Sequence, residues 1–148
     1  MITILFPSDF FDRNKPDDSF KNEYLAAIDN IINVLLYSYD IFLEKGNLRL
    51  KGDTSLPCRV IYRGWMLKPE KYSELYKKLQ NMDLLLITSP SEYKRMHSFP
   101  EIYPELIKDT APMIVYDDPG KIDYEQIRKT FRKCMVKDSS FPRRHYIM

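Results

Sequence analysis

Residues 59–87 read RVIYRGWMLKPEKYSELYKKLQNMDLLLI, and this stretch decides the fold class. Arg59 to Tyr62 is a short apolar run of the kind that forms a buried strand, and Leu84 to Ile87 is a second. Between them, Pro69 suits the first position of a helix, where its missing N–H would be unpaired in any case. Tyr72, Leu75, Tyr76, Leu79 and Met82 follow at helical spacing. A strand, a helix and a strand in this order predict a mainly parallel sheet with helices on its faces.

The same alternation extends in both directions. Upstream, Ile2 to Phe6 predicts a first strand, and Pro7 to Asp18 a polar loop. Phe20, Tyr24, Leu25 and Ile28 give an amphipathic helix to about Asn30. Asn33 to Tyr37 is a second strand. Gly46 and Gly52 punctuate a turn-rich stretch with room for a short strand at Leu48 to Leu50. Downstream, Ser89, Pro90 and Glu92 form a capping box that starts a short helix carrying Tyr93 and His97. Met113 to Tyr116 predicts another strand. The pair Asp117-Asp118 before Pro119-Gly120 reads as a turn. Asp123 with Gln126 is a second capping box, with Tyr124, Ile127 and Phe131 behind it, and Cys134 to Val136 a final strand.

Composition narrows the function classes. The 148 residues suit one ordinary α/β domain, 44% hydrophobic and 30% charged. Lys and Arg total 23 against 21 Asp and Glu, a net +2, with no basic stripe of the kind that neutralises phosphate backbones. Nucleic acid is therefore not an expected partner. No apolar run reaches the ~18 residues that cross a bilayer, and Met1 to Phe6 lacks a basic n-region, so neither a membrane span nor a signal peptide is expected. Cys58 and Cys134 each adjoin an apolar run, where a buried free thiol is expected, and the cytoplasmic look of the chain argues against a disulfide. Neither has neighbours at zinc-ligand spacing. There is no GxGxxG, Walker-type loop, HExxH or GxSxG, which argues against classical dinucleotide enzymes and P-loop NTPases.

In an open parallel sheet, ligands bind outside the carboxyl ends of the strands. Ser8 and Asp9 follow the first strand, Arg63-Gly64-Trp65 the third, and Thr88 and Ser89 the fourth, ahead of a helix N-terminus suited to an anion. Arg63 offers a fixed fork of donors for a carboxylate or phosphate. Gly64 permits close backbone approach, and Trp65, the lone tryptophan, can wall a pocket. The plainer alternative is a tight turn, with Trp65 in the core and Arg63 paired to a surface carboxylate. Asp17-Asp18 reads most simply as a charge bias at a helix N-terminus.

Several segments together carry a family resemblance. They are Phe6-Pro7-Ser8 with Tyr24; Ile61-Tyr62-Arg63-Gly64-Trp65-Met66-Leu67-Lys68-Pro69; Ser89-Pro90-Ser91-Glu92-Tyr93; His97 with Phe99-Pro100 and Tyr103-Pro104; and Met135-Val136-Lys137-Asp138. In order and spacing the chain resembles the N-terminal, pre-ATP-grasp region of the ATP-grasp clade named for one arginine and two lysines. The resemblance implies a Rossmann-like domain over residues 1–136 that helps hold an acceptor, and a tail over 137–148 that looks like the entry to an ATP-binding lobe. Such enzymes phosphorylate a carboxylate with ATP and magnesium and let an amine attack the acyl phosphate.

The edge residues Ser8, Arg63, Gly64, Trp65 and Ser89 are the candidate contacts for a small acidic or amino-acid-like substrate, and by the resemblance Lys137 would contact nucleotide. No residue is assigned to catalysis or to metal. The second lysine that the family usually shows after the Val-Lys-Asp triplet is replaced here by Ser139-Ser140-Phe141-Pro142-Arg143-Arg144. The carboxylates that hold magnesium in the family would lie beyond this sequence. The expectation is therefore an acceptor-binding domain, inactive alone, with a separate chain as one source of the remaining lobes. Two rivals stand beside it: a stand-alone module of the same fold that holds a small acidic ligand or a protein partner, and an unrelated α/β domain.

Overall fold

The computed structural model describes residues 2–54, 57–116, 118–137 and 144–145. The chain folds as two compact units, Met1–Tyr93 and Lys94–Met148.

The first unit is an α/β layer structure around a five-stranded, mixed and mostly parallel sheet. Its strands are β1 (Ile2–Pro7), β2 (Asn33–Tyr37), β3 (Leu50–Lys51), β4 (Cys58–Tyr62) and β5 (Leu84–Leu86), in the spatial order β3-β2-β1-β4-β5. β1 pairs in parallel with β2 and with β4, and β4 with β5. Only β3 is antiparallel, placing Leu50 opposite Tyr37. The helices are α1 (Lys21–Asp29), α2 (Tyr39–Lys45), α3 (Pro69–Gln80) and the start of α4 (Pro90–His97).

Strand side chains alternate between the two faces of the sheet, and each face has its own cluster. Ile4, Phe6, Val34 and Leu36 pack with Phe20, Tyr24 and Ala27 of the α1 segment. Leu5, Leu35, Val60, Leu84 and Leu86 pack with Phe42 of α2, Tyr72, Leu75 and Leu79 of α3, and Tyr93 of α4. The α3 face follows the expected apolar spacing, although Met82 lies beyond the helix and is exposed. For α1 the expected face is corrected. Phe20, Tyr24 and Ala27 turn inward, while Leu25 and Ile28 are half-exposed. The buried residues recur at i, i+4 and i+7, so the stripe that meets the sheet lies to one side of Leu25 and Ile28.

The segment α2 had no strong sequence signature. It is closed by Gly46 in the left-handed region, φ 66°, whose N–H donates to the Phe42 carbonyl at 2.9 Å.

The second unit holds the end of α4, then α5 (Phe99–Leu106), α6 (Tyr124–Thr130), and β6 (Val136–Lys137) paired antiparallel with β7 (Arg144–His145). Two expected strands are corrected here. Met113–Tyr116 joins no ladder. The Met113 N–H donates instead to the Tyr103 hydroxyl at 3.0 Å, and Val115 is half-exposed. Without a neighbouring strand a four-residue apolar run forms no ladder, and its backbone groups must find other partners, as the Met113 N–H does. The strand expected at Cys134–Val136 is Val136–Lys137, and its partner is β7 rather than a strand of the main sheet.

Asp118 makes the expected turn by accepting from the Gly120 N–H at 2.9 Å, while Asp117 lies outside the described residues. The capping box at Asp123 is half formed. Asp123 accepts from the Gln126 N–H at 2.9 Å, but the Gln126 side chain meets the Tyr116 hydroxyl at 3.0 Å. Cys58 and Cys134 are both free thiols; Cys58 is buried as expected, while the expected burial of Cys134 is corrected, since it is exposed. Among the described residues no helix is long and apolar enough to cross a membrane.

Candidate functional site

The connection from β1 leads to β2 on one side, and that from β4 leads to β5 on the other. The connections thus diverge between β1 and β4, and a crevice at the carboxyl ends of such a strand pair is the favoured ligand position in open α/β sheets. Arg63-Gly64-Trp65 stands there. The Arg63 N–H donates to the Leu5 carbonyl at 2.9 Å, which carries the β1–β4 ladder one residue beyond β4.

Alternation fixes which way Arg63 points. Ile61 pairs with Ile4, on the α1 face of the sheet, and Arg63 is two residues on. Its guanidinium accordingly meets α1. Nε donates to Glu23 Oε2 at 2.5 Å and Nη2 to Glu23 Oε1 at 2.6 Å, a two-point fork. The two side chains are 47% and 48% exposed. The guanidinium carbon lies 5.0 Å from the centroid of the Phe20 ring, within cation–π range. Trp65 packs edge-on against the same ring, with centroids 5.2 Å apart. Its indole N–H donates to Asp17 Oδ2 at 3.2 Å, and the side chain remains 43% exposed. Asp17 also caps the turn at residues 18–20 by accepting from the Ser19 N–H at 2.8 Å, the helix-start role its sequence position suggested. Asp17, Glu23, Arg63 and Trp65 thus form one cluster at the edge of the sheet, seated on the buried Phe20 ring.

On the opposite face the same turn rests on two phenols. Tyr37 and Tyr62 hydroxyls lie 2.8 Å apart, and Tyr62 also donates to the Trp65 carbonyl. Burial is the leading cause that pushes both phenols far above the ordinary tyrosine range, so both stay protonated near neutrality. Arg63 and Glu23 reinforce each other's charge. The hydrogen bond from Arg63 lowers the Glu23 carboxyl, and the bond to Glu23 raises the guanidinium further.

The other expected residues have different settings. Ser8 follows β1 at the carboxyl edge, with its N–H bonded to the Tyr37 carbonyl at 2.8 Å, but it is 5% exposed. The loop after it returns to bridge Ser8 with Pro16. Its hydroxyl has no hydrogen-bond partner among the described residues. Ser89 also stands at the carboxyl edge, where it caps α4. Its N–H and hydroxyl donate to Glu92 at 2.8 and 2.7 Å, and its oxygen accepts the Glu92 N–H at 3.3 Å. A cavity of about 550 Å³ opens between the loop after β1 and α1, lined by Asp9, Asp18, Lys21 and Tyr24 among others. Ser8, Arg63 and Ser89 are not among its lining residues. Lys137 lies in the β6–β7 ladder of the second unit, opposite Arg144.

Glu23, Phe20 and Asp17 give no local signal of their part in this cluster. Glu23 is 40 residues from Arg63, and only the placement of α1 over the sheet joins them. Among the described residues no three His, Cys, Asp or Glu side chains come together as a metal site. No family model matches the chain, and no curated protein or solved structure matches it either.

Proposed function

We propose that this chain is the N-terminal, acceptor-binding domain of an intracellular carboxylate–amine ligase of the ATP-grasp type, built on a Rossmann-like sheet. The observation that carries the proposal is the position of Arg63-Gly64-Trp65 at the carboxyl end of β4, where the sheet's connections diverge. In the resemblance this run is among the most specific motifs, and in the fold it stands where α/β sheets take ligands. The ligand would be a small acidic or amino-acid-like molecule, with an acid group for the Arg63 fork and an apolar part for the exposed side of Trp65.

A second reading is a stand-alone module of the same fold, supported by the exposure of Arg63 and Trp65 at the sheet edge, where a small acid or a protein partner can reach them. Both readings use the same exposed edge residues and differ in whether ATP is the ligand's companion.

Saturation-transfer NMR against a panel of amino acids and dicarboxylates, repeated on Arg63→Gln, tests the shared part. Binding of an acid that disappears in the variant is expected, and no binding by any acid would remove both readings. Calorimetry with Mg-ATP tests the rest. This chain is expected to bind ATP weakly or not at all, because phosphoryl transfer requires metal ions and several fixed positive groups around the phosphates. Micromolar binding that vanishes in Lys137→Ala would overturn that expectation and reveal a nucleotide site within these residues.

A further inference from the structure

The Arg63 fork already holds a carboxylate. Glu23 presents both oxygens to Nε and Nη2 at 2.5 and 2.6 Å, the arrangement an acidic ligand would adopt. Each partner is about half exposed, and an exposed ion pair contributes little net stability because water and salt replace it readily. The remaining contacts of Arg63 do not depend on Glu23. Its backbone is fixed by the bond to Leu5, and its guanidinium rests on Phe20. Removing the Glu23 carboxylate from the fork therefore leaves the fork in position.

We propose that Glu23 is a tethered competitor for the ligand of Arg63, and that the site opens when a molecule bearing a planar carboxylate replaces it while an apolar body lies against Trp65. The inference rests on the reading of Arg63 as an acid-binding residue and adds a residue that lowers the site's affinity for acids. A ligand that pairs a carboxylate with a flat apolar group gains the exposed Trp65 contact in addition to the fork, and so is favoured over a small free anion, which has the fork alone.

Trp65 is the only tryptophan in the chain, so its fluorescence reports this site alone. The probe is benzoate, with neutral benzamide as the control. Wild type, Glu23→Gln, Arg63→Gln and the double variant are titrated at one ionic strength, after circular dichroism has established that each is folded. Glu23→Gln is expected to bind benzoate about fivefold more tightly than wild type, the ceiling that a half-exposed ion pair sets. Arg63→Gln and the double variant are expected to lose the response, and benzamide to give none. Equal affinity in wild type and Glu23→Gln, with loss in Arg63→Gln, would overturn the competitor while leaving the acid site intact. Weaker binding in Glu23→Gln would overturn it as well, since Glu23 would then be holding the site in shape. No response from any protein would remove the acid-binding reading and the competitor with it.

Discussion

The hydroxyl of Tyr62 occupies the space in which a side chain on Gly64 would begin. A Cβ at Gly64 would stand 2.9 Å from Tyr62 Oη and 3.3 Å from Tyr37 Oη, and both phenols are held by the bond between them. Packing of Tyr37 against Phe42 and of Tyr62 against Tyr72 limits how far either ring can shift. Gly64→Ala is therefore expected to lower stability by about 1–3 kcal/mol, the usual range for overpacking a tight contact. Urea denaturation followed by circular dichroism checks it, and an unchanged midpoint would show that the turn yields freely.

The two phenols also make the fold sensitive to alkali. Burial raises both above the ordinary tyrosine value, so they remain neutral in the folded chain, while the same groups ionise near pH 10 once unfolded. Above pH 10 the unfolded state has lost protons that the folded state keeps. Stability is then expected to be complete below pH 10 and to fall as pH rises, by roughly 1.4 kcal/mol per pH unit for each such phenol. Tyr37→Phe should make that fall shallower and, by removing one buried hydrogen bond, should cost about 1 kcal/mol at pH 7. Urea titrations at pH 7, 10 and 11 measure both effects, and an unchanged alkaline slope in Tyr37→Phe would refute the assignment.

Ile31 stands in the left-handed region at φ 57° in the turn between α1 and β2, with 95% of its surface exposed. A β-branched residue is strained in that conformation, and here no packing compensates. Ile31→Asn is expected to stabilise the chain by about 1 kcal/mol. A thermal melt should show a rise in midpoint, and a fall would mean that the isoleucine makes a contact worth more than the strain.

Ser89 was expected both as a helix cap and as a binding residue, and the two roles can be separated. Its hydroxyl and N–H are engaged with Glu92 at the start of α4. Ser89→Ala is expected to cost about 1 kcal/mol of stability, and, as a cap alone, to leave benzoate affinity at Trp65 unchanged. A change in that affinity without loss of stability would restore the binding role.

By itself, the sequence determined the α/β class, because apolar runs at strand length and helical length alternate along residues 2–87 and each pattern follows from local geometry. It also placed Ser8, Arg63 and Ser89 at one edge of the sheet, since consecutive parallel strands present their carboxyl ends together. It misjudged Met113–Tyr116, because a strand requires a neighbour as well as an apolar run, and the inward face of α1, because the sheet selects among the available apolar stripes.

Only the tertiary structure decided which residues meet at that edge. The Glu23 partner of Arg63, the Phe20 ring beneath it and the phenol beside Gly64 arise from contacts across 40, 43 and two residues of chain respectively. Periodicity can say that α1 covers the sheet. It cannot say which residue of α1 comes level with the end of β4, because that register is set by how whole side chains interlock across the layer.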